Sequence, residues 1–392
     1  MPEKIHLWPE QTVQDGDSVT LASTLERPDG RRQRLWYRIP ATYRNAVTTS
    51  CDPFVLGFLF NFMRTSTDLN IHGQVSPSLL RNLVEFQDTW AGWNPAKYHR
   101  VEINADVEGE QIRVKGDEAI MGFSGGGDST YTAWRHRIGH AGRQKRNLVA
   151  GVMLHGFDIP LQEPQIFAQA AERSRLMLAS IGMELIQIST NFREVGGTWE
   201  DAFAAGLASC LALLQGRYNT GLIASSYDYS ALVFPWGSTP FTDGLMSSDS
   251  FQLIHDGAAL DKAAKLKQIS EWPEAMKYLR VCFDGHSAGN CCRCPKCIKT
   301  VLLFRILGLG LPECFERDIS DGDILRARWN LAEIENLANL VKQARNASIS
   351  ASWVRALQIS LKINRLRVSA ARMAPARNAL RRVYRFFLPP LR

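Results

Sequence analysis

Residues 124–129 read Ser-Gly-Gly-Gly-Asp-Ser, directly after the apolar run 119–123 and directly before a segment of helical character. No other stretch constrains the chain as strongly. Three successive glycines let backbone N–H groups approach an anion with no Cβ in the way. A helix behind them adds unpaired N–H groups and the positive end of its dipole. The serines supply hydroxyl donors, and Asp128 can hold magnesium or cap the helix. Ser124, Gly125, Gly126, Gly127, Asp128 and Ser129 are therefore the candidate phosphate-binding residues. A Walker A loop would need Gly-Lys-Ser/Thr, and no lysine is present. A dinucleotide fingerprint would need a glycine where Thr130 stands. It would also need an acid about 20 residues on, where residues 148–151 offer none.

The flanking pattern alternates between strand and helix, which predicts an α/β fold with a parallel, Rossmann-like sheet. Apolar runs at 119–123, 148–154, 184–189 and 220–225 are the expected strands. Residues 164–180 have helical spacing and end before Gly182; 198–215 is apolar nearly all round and so is an expected buried helix. A long segment with Pro235, Gly237, Pro240 and Gly244 follows the fourth strand as an expected active-site wall, and helices are expected at 261–269 and 298–309. Residues 1–115 read as an N-terminal α+β domain. It has a hairpin of 18–25 and 32–39 about Pro28-Asp29-Gly30, helices at 51–63 and 77–93, and a strand at 98–107. His72 is the histidine there with possible partners and is read as structural. The remaining boundaries place a catalytic domain at 116–312 and a basic helical region at 313–392, broken at Pro375.

The net charge of +7 is not spread evenly. From Asn336 onward there are twelve Lys and Arg and no Asp or Glu, which leaves 34 basic and 39 acidic side chains in the first 335 residues. Arg365, Arg367, Arg372, Arg377, Arg381, Arg382 and Arg385 alternate with apolar residues including Phe386 and Phe387. Three readings fit such a tail: a helix packed on the protein with a solvated basic face, an anionic membrane surface, or RNA. No export signal opens the chain and no apolar run reaches about 18 residues, so the expected location is the cytoplasm.

Five of the eight cysteines, Cys282, Cys291, Cys292, Cys294 and Cys297, fall within sixteen residues. Without an export signal, such clustering argues for a metal rather than disulfides. Cys282, Cys291, Cys294 and Cys297 have spacings that close a tetrahedron about zinc; Cys₄ ligation also suits an iron–sulfur cluster. Cys292 is a spare thiol able to replace Cys291. Cys51, Cys210 and Cys314 are read as small buried apolar residues.

The Ser-Gly-Gly-x-Asp-Ser loop resembles that of the PP-loop ATP pyrophosphatases. With the four-cysteine pattern downstream, residues 117–308 resemble the 7-cyano-7-deazaguanine synthase branch, whose cysteines form a structural zinc site. Asp228-Tyr229-Ser230 matches the branch's Asp-Tyr-Ser, and Lys262 ahead of Ala263-Ala264 fits as well. The chain departs from the branch where Cys292 replaces its glycine and Ala231-Leu232-Val233-Phe234 replaces its Gly-Tyr-Pro-Asp, so the deazaguanine substrate does not carry over. The resemblance implies a PP-loop (HUP-type) sheet and ATP, Mg2+ and structural Zn2+. It also implies attack by a small-molecule carboxylate or amide oxygen on the α-phosphorus. Pyrophosphate would leave into the loop, neutralised by Mg2+ and Lys262 or Lys265, with Asp128, Lys262 and Lys265 as catalytic residues and Asp228 at the nucleotide. A nitrogen or sulfur nucleophile then reacts. Pro2 excludes an N-terminal cysteine glutaminase, so ammonia or an ammonia-donating partner is expected. The alternatives are a tRNA-modifying PP-loop enzyme and a non-catalytic nucleotide-binding module. His155, Asp158, Asn191, Arg193, Trp236 and Asp243 are secondary candidates on the segments after the expected strands, and His255-Asp256-Gly257, just before the Lys262 helix, is read as a turn with a helix cap rather than as catalytic.

Overall fold

The turn signal Pro28-Asp29-Gly30 does close a hairpin, and that hairpin is the middle of a much larger sheet. A computed structural model describes residues 4–329 and 331–387, and the side chains of all of these except 331, 332 and 370–387. They form two compact units, Met1–Arg280 with Asp284–Gly289, and Val281–Phe283 with Asn290–Arg392.

The first unit begins with β1 (Ile5–Pro9), β2 (Val13–Asp15), β3 (Ser18–Glu26) and β4 (Arg32–Pro40). Helix α1 (Asp52–Thr65), β5 (Leu69–Val75), α2 (Pro77–Trp93) and β6 (Ile103–Glu108) follow. Next come β7 (Glu118–Gly122), α3 (Gly127–Ile138), β8 (Asn147–His155), α4 (Pro164–Ala179) and β9 (Glu184–Thr190). The unit ends with α5 (Phe192–Val195), α6 (Trp199–Ala212), β10 (Thr220–Ala224), β11 (Gln252–Asp256), α7 (Lys262–Ile269) and α8 (Pro273–Tyr278). All eleven strands join one mixed sheet, ordered β11-β10-β7-β8-β9-β4-β3-β1-β5-β6 with β2 on β3. From β11 to β9 every pair is parallel, and β4 then joins β9 antiparallel.

The sequence division at 115/116 does not separate two sheets, because Tyr37 pairs with Thr190 and Arg38 with Ser189. Asn191 reinforces the joint: its side-chain Oδ1 accepts from Trp36 N at 3.0 Å and its Nδ2 donates to Arg34 O at 2.8 Å. A shared core runs beneath, with Leu35, Tyr37 and Phe58 in the same cluster as Ile186, Ala205 and Ala208. Gly57 lets α1 press on this region, since a Cβ there would meet Leu35 Cδ2 at 2.5 Å. Strand β7 is buried along Ala119–Gly122, as expected of a strand covered on both faces. Strand β11 was not foreseen; its sequence Gln-Leu-Ile-His-Asp is short and half polar, and its register comes only from β10. The expected strand 98–107 begins later, at Ile103.

The second unit holds α9 (Pro295–Ile306), α10 (Asp321–Arg326), α11 (Leu331–Asn346) and α12 (Ser352–Phe387). Helix α12 runs through Pro375 where a break was expected; proline removes one backbone donor and the turns on either side continue the helix. In the basic tail, Arg365 and Arg367 are exposed, and Arg367 Nη1 donates to Asn364 Oδ1 at 2.9 Å. The side chains of Arg372, Arg377, Arg381, Arg382, Arg385, Phe386 and Phe387 lie outside the described residues. No helix among the described residues is long and apolar enough to cross a membrane.

Candidate functional site

Strand order in the parallel half reverses at β7. The chain passes from β7 outward to β8 and β9, then returns to place β10 and β11 on the other side. In open α/β sheets, ligands bind outside the carboxyl ends of the strands at such a switch point. The glycine loop leaves β7 there.

Gly125 has φ +72°, a conformation favouring glycine, and its carbonyl accepts from Arg280 N at 2.8 Å. Ser124 Oγ accepts from Gly126 N at 3.3 Å, and Ser129 Oγ both accepts from Ser124 N at 3.3 Å and donates to Gly126 O at 3.1 Å. These local bonds hold the loop in shape. Helix α3 starts at Gly127 with Gly126 as its cap residue, so the N–H groups of Gly127, Asp128 and Ser129 fall in the first turn, where no intrahelical acceptor exists.

Asp128 gathers both predicted lysines. Lys262 Nζ donates to Asp128 Oδ2, and Lys265 Nζ lies 3.3 Å from Asp128 Oδ1. Lys265 also donates to Ser225 O, at the end of β10, at 2.6 Å, and only 1% of it is exposed. Helix α7 aims the two lysines from adjacent turns, and Asp261 caps it by accepting from Ala264 N at 2.8 Å. Burial pushes the Asp128 carboxyl up, but Lys262 and Lys265 outweigh it and hold Asp128 below its ordinary value. Burial pulls the Lys265 ammonium down, with Asp128 opposing.

Behind this triad lies a charge cluster centred on Asp256, a residue expected in a turn and whose partners were not foreseen. Asp256, the last residue of β11, is 5% exposed. It accepts from Thr132 Oγ1 at 2.8 Å and pairs with Arg135 Nη1 at 3.3 Å and His136 Nε2 at 3.2 Å. Because His136 Nδ1 accepts from Arg146 N at 3.0 Å, Nε2 carries the proton it gives Asp256. Burial raises the Asp256 pKa; His136 and Arg135 more than offset this and keep it below 3.8. These contacts tie α3 to β11 and so fix the helix end that carries the loop. Arg280, 4% exposed beside Gly125, was missed, as a lone arginine carries no pattern.

The other candidates make local contacts. Asp228 accepts from Ser230 N at 3.0 Å and from its hydroxyl, closing its own turn. Gly156 N donates to Ile159 O at 2.9 Å across the turn that holds Asp158, and His155 Nε2 bonds Pro160 O at 2.9 Å while its ring stacks on Phe167. Arg193 donates to Phe157 O at 3.1 Å and lies over Trp199. Asp243 is fully buried and accepts from Ser238 Oγ at 2.7 Å, with His255 Nδ1 at 2.8 Å. Burial pushes its carboxyl up against the pull of His255. In the predicted wall, Trp236 packs edge-on with Tyr227 and Phe234, and Val233 is exposed. His72 stacks on Trp8 and bonds His6 at 2.9 Å, a structural role.

In the second unit, the Sγ atoms of Cys282, Cys291, Cys294 and Cys297 all lie within 4.8 Å of one another. The pairs Cys282–Cys294 and Cys291–Cys297 are each 3.9 Å apart. Zn–S bonds of about 2.3 Å in a tetrahedron put sulfurs ~3.8 Å apart, so the group can hold a zinc ion. Cys294 N and Cys297 N donate to the Sγ of Cys291 and Cys294 at 3.3 and 3.4 Å, which favours thiolates there. The hydrogen-bonded contact with Cys282 pushes Cys294 up to about 12 and, together with Cys294, Cys297 well above its ordinary range. Cys292 is not a substitute ligand: its Sγ points to Asn290 O at 3.4 Å. Its φ of +56° explains why a glycine suits this place. Cys51, Cys210 and Cys314 are buried.

No protein-family model matches the chain, and neither curated proteins nor solved structures give a match.

Proposed function

We propose that the chain is an ATP pyrophosphatase of the PP-loop type that adenylates a small-molecule carboxylate or amide oxygen and then transfers nitrogen to the activated carbon. The observation that carries this reading is the meeting of Asp128, Lys262 and Lys265 on the glycine loop at the point where strand order reverses. For a carboxylate, its oxygen bonds to the α-phosphorus and the bond to the β-phosphate bridge oxygen breaks, releasing pyrophosphate. Ammonia then adds to the acyl carbon, AMP leaves with the bonding pair, and a proton is lost to give the amide.

The chain's own groups fit the first step. First-turn N–H groups of α3 and the Ser124 hydroxyl would meet the departing pyrophosphate, with Ser129 bracing the loop through Gly126 O, and Lys262, part-exposed, would meet its charge. Lys265, fixed by Ser225 O, keeps the β10 end and the loop at one spacing. Asp128, held ionised, is the loop carboxylate suited to Mg2+, which when bound shares the charge of the leaving group. The four cysteines are read as a structural zinc site, since four protein ligands leave no open position.

Pyrophosphate exchange into ATP, assayed against pooled metabolites with ammonia omitted, tests the reading. Exchange is expected in the native chain and a fall of at least about 100-fold in Asp128→Asn. Unchanged exchange in that variant refutes the assignment. Nucleotide binding without exchange, whatever metabolite is offered, reduces the chain to a binding module.

A further inference from the structure

A cavity of about 510 Å³, lined by no residue of the glycine loop, is within the size range of small-molecule sites. Arg27, Arg31 and Arg32 of the β3–β4 hairpin and Arg64 of α1 line it, with Gln33 and Asn61. Four guanidiniums around one recess repel each other, so their partners decide what the cavity can hold. Arg31 pairs with Asp29 at 2.5 Å and Arg32 with Glu26 at 3.0 Å. Among the described residues Arg27 and Arg64 make no ion pair, which leaves about two uncompensated positive charges. Burial pulls the Arg27 pKa down, as do Arg31 and Arg64, with Asp29 partly opposing.

Arg27 is also aimed. Arg27 Nη2 donates to Gln33 Oε1 at 3.2 Å and to Asn61 Oδ1. Asn61 Nδ2 in turn donates to Gln33 Oε1 at 3.1 Å and to Val195 O at 3.0 Å. The Arg27 fork is thus set by a network of neutral amides that leaves its charge for another acceptor. Two unpaired guanidiniums converging on a recess match the oxygens of a phosphate, which they bind through paired N–H donors. Backbone binding of nucleic acid uses an extended groove rather than a convergent recess. Since β4 runs antiparallel to β9, its first residue, Arg32, stands at the carboxyl edge of the parallel strands, the edge that carries the glycine loop.

We propose that this cavity is a second anion site, which binds a small molecule through a phosphate monoester held by Arg27 and Arg64. It stands apart from the reading of the glycine loop and survives if that reading fails.

Calorimetric titration of phenyl phosphate, at low ionic strength, into the full chain and three variants tests it. A site is expected that weakens at least about tenfold in Arg64→Gln and Arg27→Gln and persists in Lys262→Met. Arg64 is exposed, so Arg64→Gln remains decisive should the Arg27 variant fail to fold. No heat of binding up to about 10 mM ligand overturns the proposal. So does equal affinity in Arg64→Gln, or loss in Lys262→Met, which would put the ligand in the glycine loop. Arg64-dependent binding of a tRNA-length RNA with none of phenyl phosphate would make the patch an RNA surface and overturn it too.

Discussion

Lys265 is a charged side chain with 1% of its surface exposed, and its two oxygen partners lie in the first turn of α3 and just past the end of β10. Replacing it with methionine keeps the volume and leaves Ser225 O and one Asp128 oxygen short of a donor. The expected result is a loss of exchange activity of about 100-fold and of about 1–3 kcal/mol in urea unfolding. Lys262→Met, at a part-exposed site, should lower activity and leave stability within about 0.5 kcal/mol. Asp256 offers a test of the buried network. Its folded pKa lies below the ordinary 3.8, so its contribution is complete above that value and is lost as pH falls through the folded value. Asp256→Asn should lower stability at pH 7 by about 3 kcal/mol and flatten the decline below pH 3.8, both read from urea unfolding at several pH values. The loop residues were legible because glycines, serines and an aspartate at fixed spacing state a local chemistry. Asp256 was legible only as part of a turn before the lysine helix and Arg280 not at all, since each gains its meaning only from what folds against it.

At the scale of elements, spacing reveals the cysteine group while backbone conformation selects its members. Cys291 and Cys292 are neighbours in sequence, and the left-handed turn at Cys292 sends one sulfur to the cluster and the other to Asn290 O. Metal analysis of purified protein should find about one zinc per chain in the native protein and in Cys292→Gly, and less than half of that in Cys291→Ser. Equal zinc in Cys291→Ser would reverse the assignment. Helices at 51–63, 77–93 and 164–180 were legible from periodicity and capping, and each forms within two residues of its expected bounds. Strand β11 was not, because five residues without alternation carry no signal of their own.

At the scale of the molecule, the parallel pattern was legible, but the union of the two halves was not: β4 and β9 meet through two residue pairs that no local pattern announces. A chain beginning at residue 116 would therefore expose β9 as a raw edge and strip α6 of its α1 partner. Such a fragment is expected to lack near-ultraviolet circular dichroism and to aggregate, where an autonomous domain would keep a cooperative melt. The Asn191 joint spans 155 residues to Trp36, and that separation has a consequence in time. At roughly 5–20 residues per second, about 8–30 s of synthesis separate β4 from the strand that completes it. During that interval the N-terminal sheet waits with an open side, and the alternate charged side chains Arg32, Arg34 and Arg38 along β4 stand guard against pairing with another chain. Arg34→Val with Arg38→Val should leave the finished protein's melting temperature nearly unchanged while lowering the soluble yield of synthesis, most of all when translation is slowed.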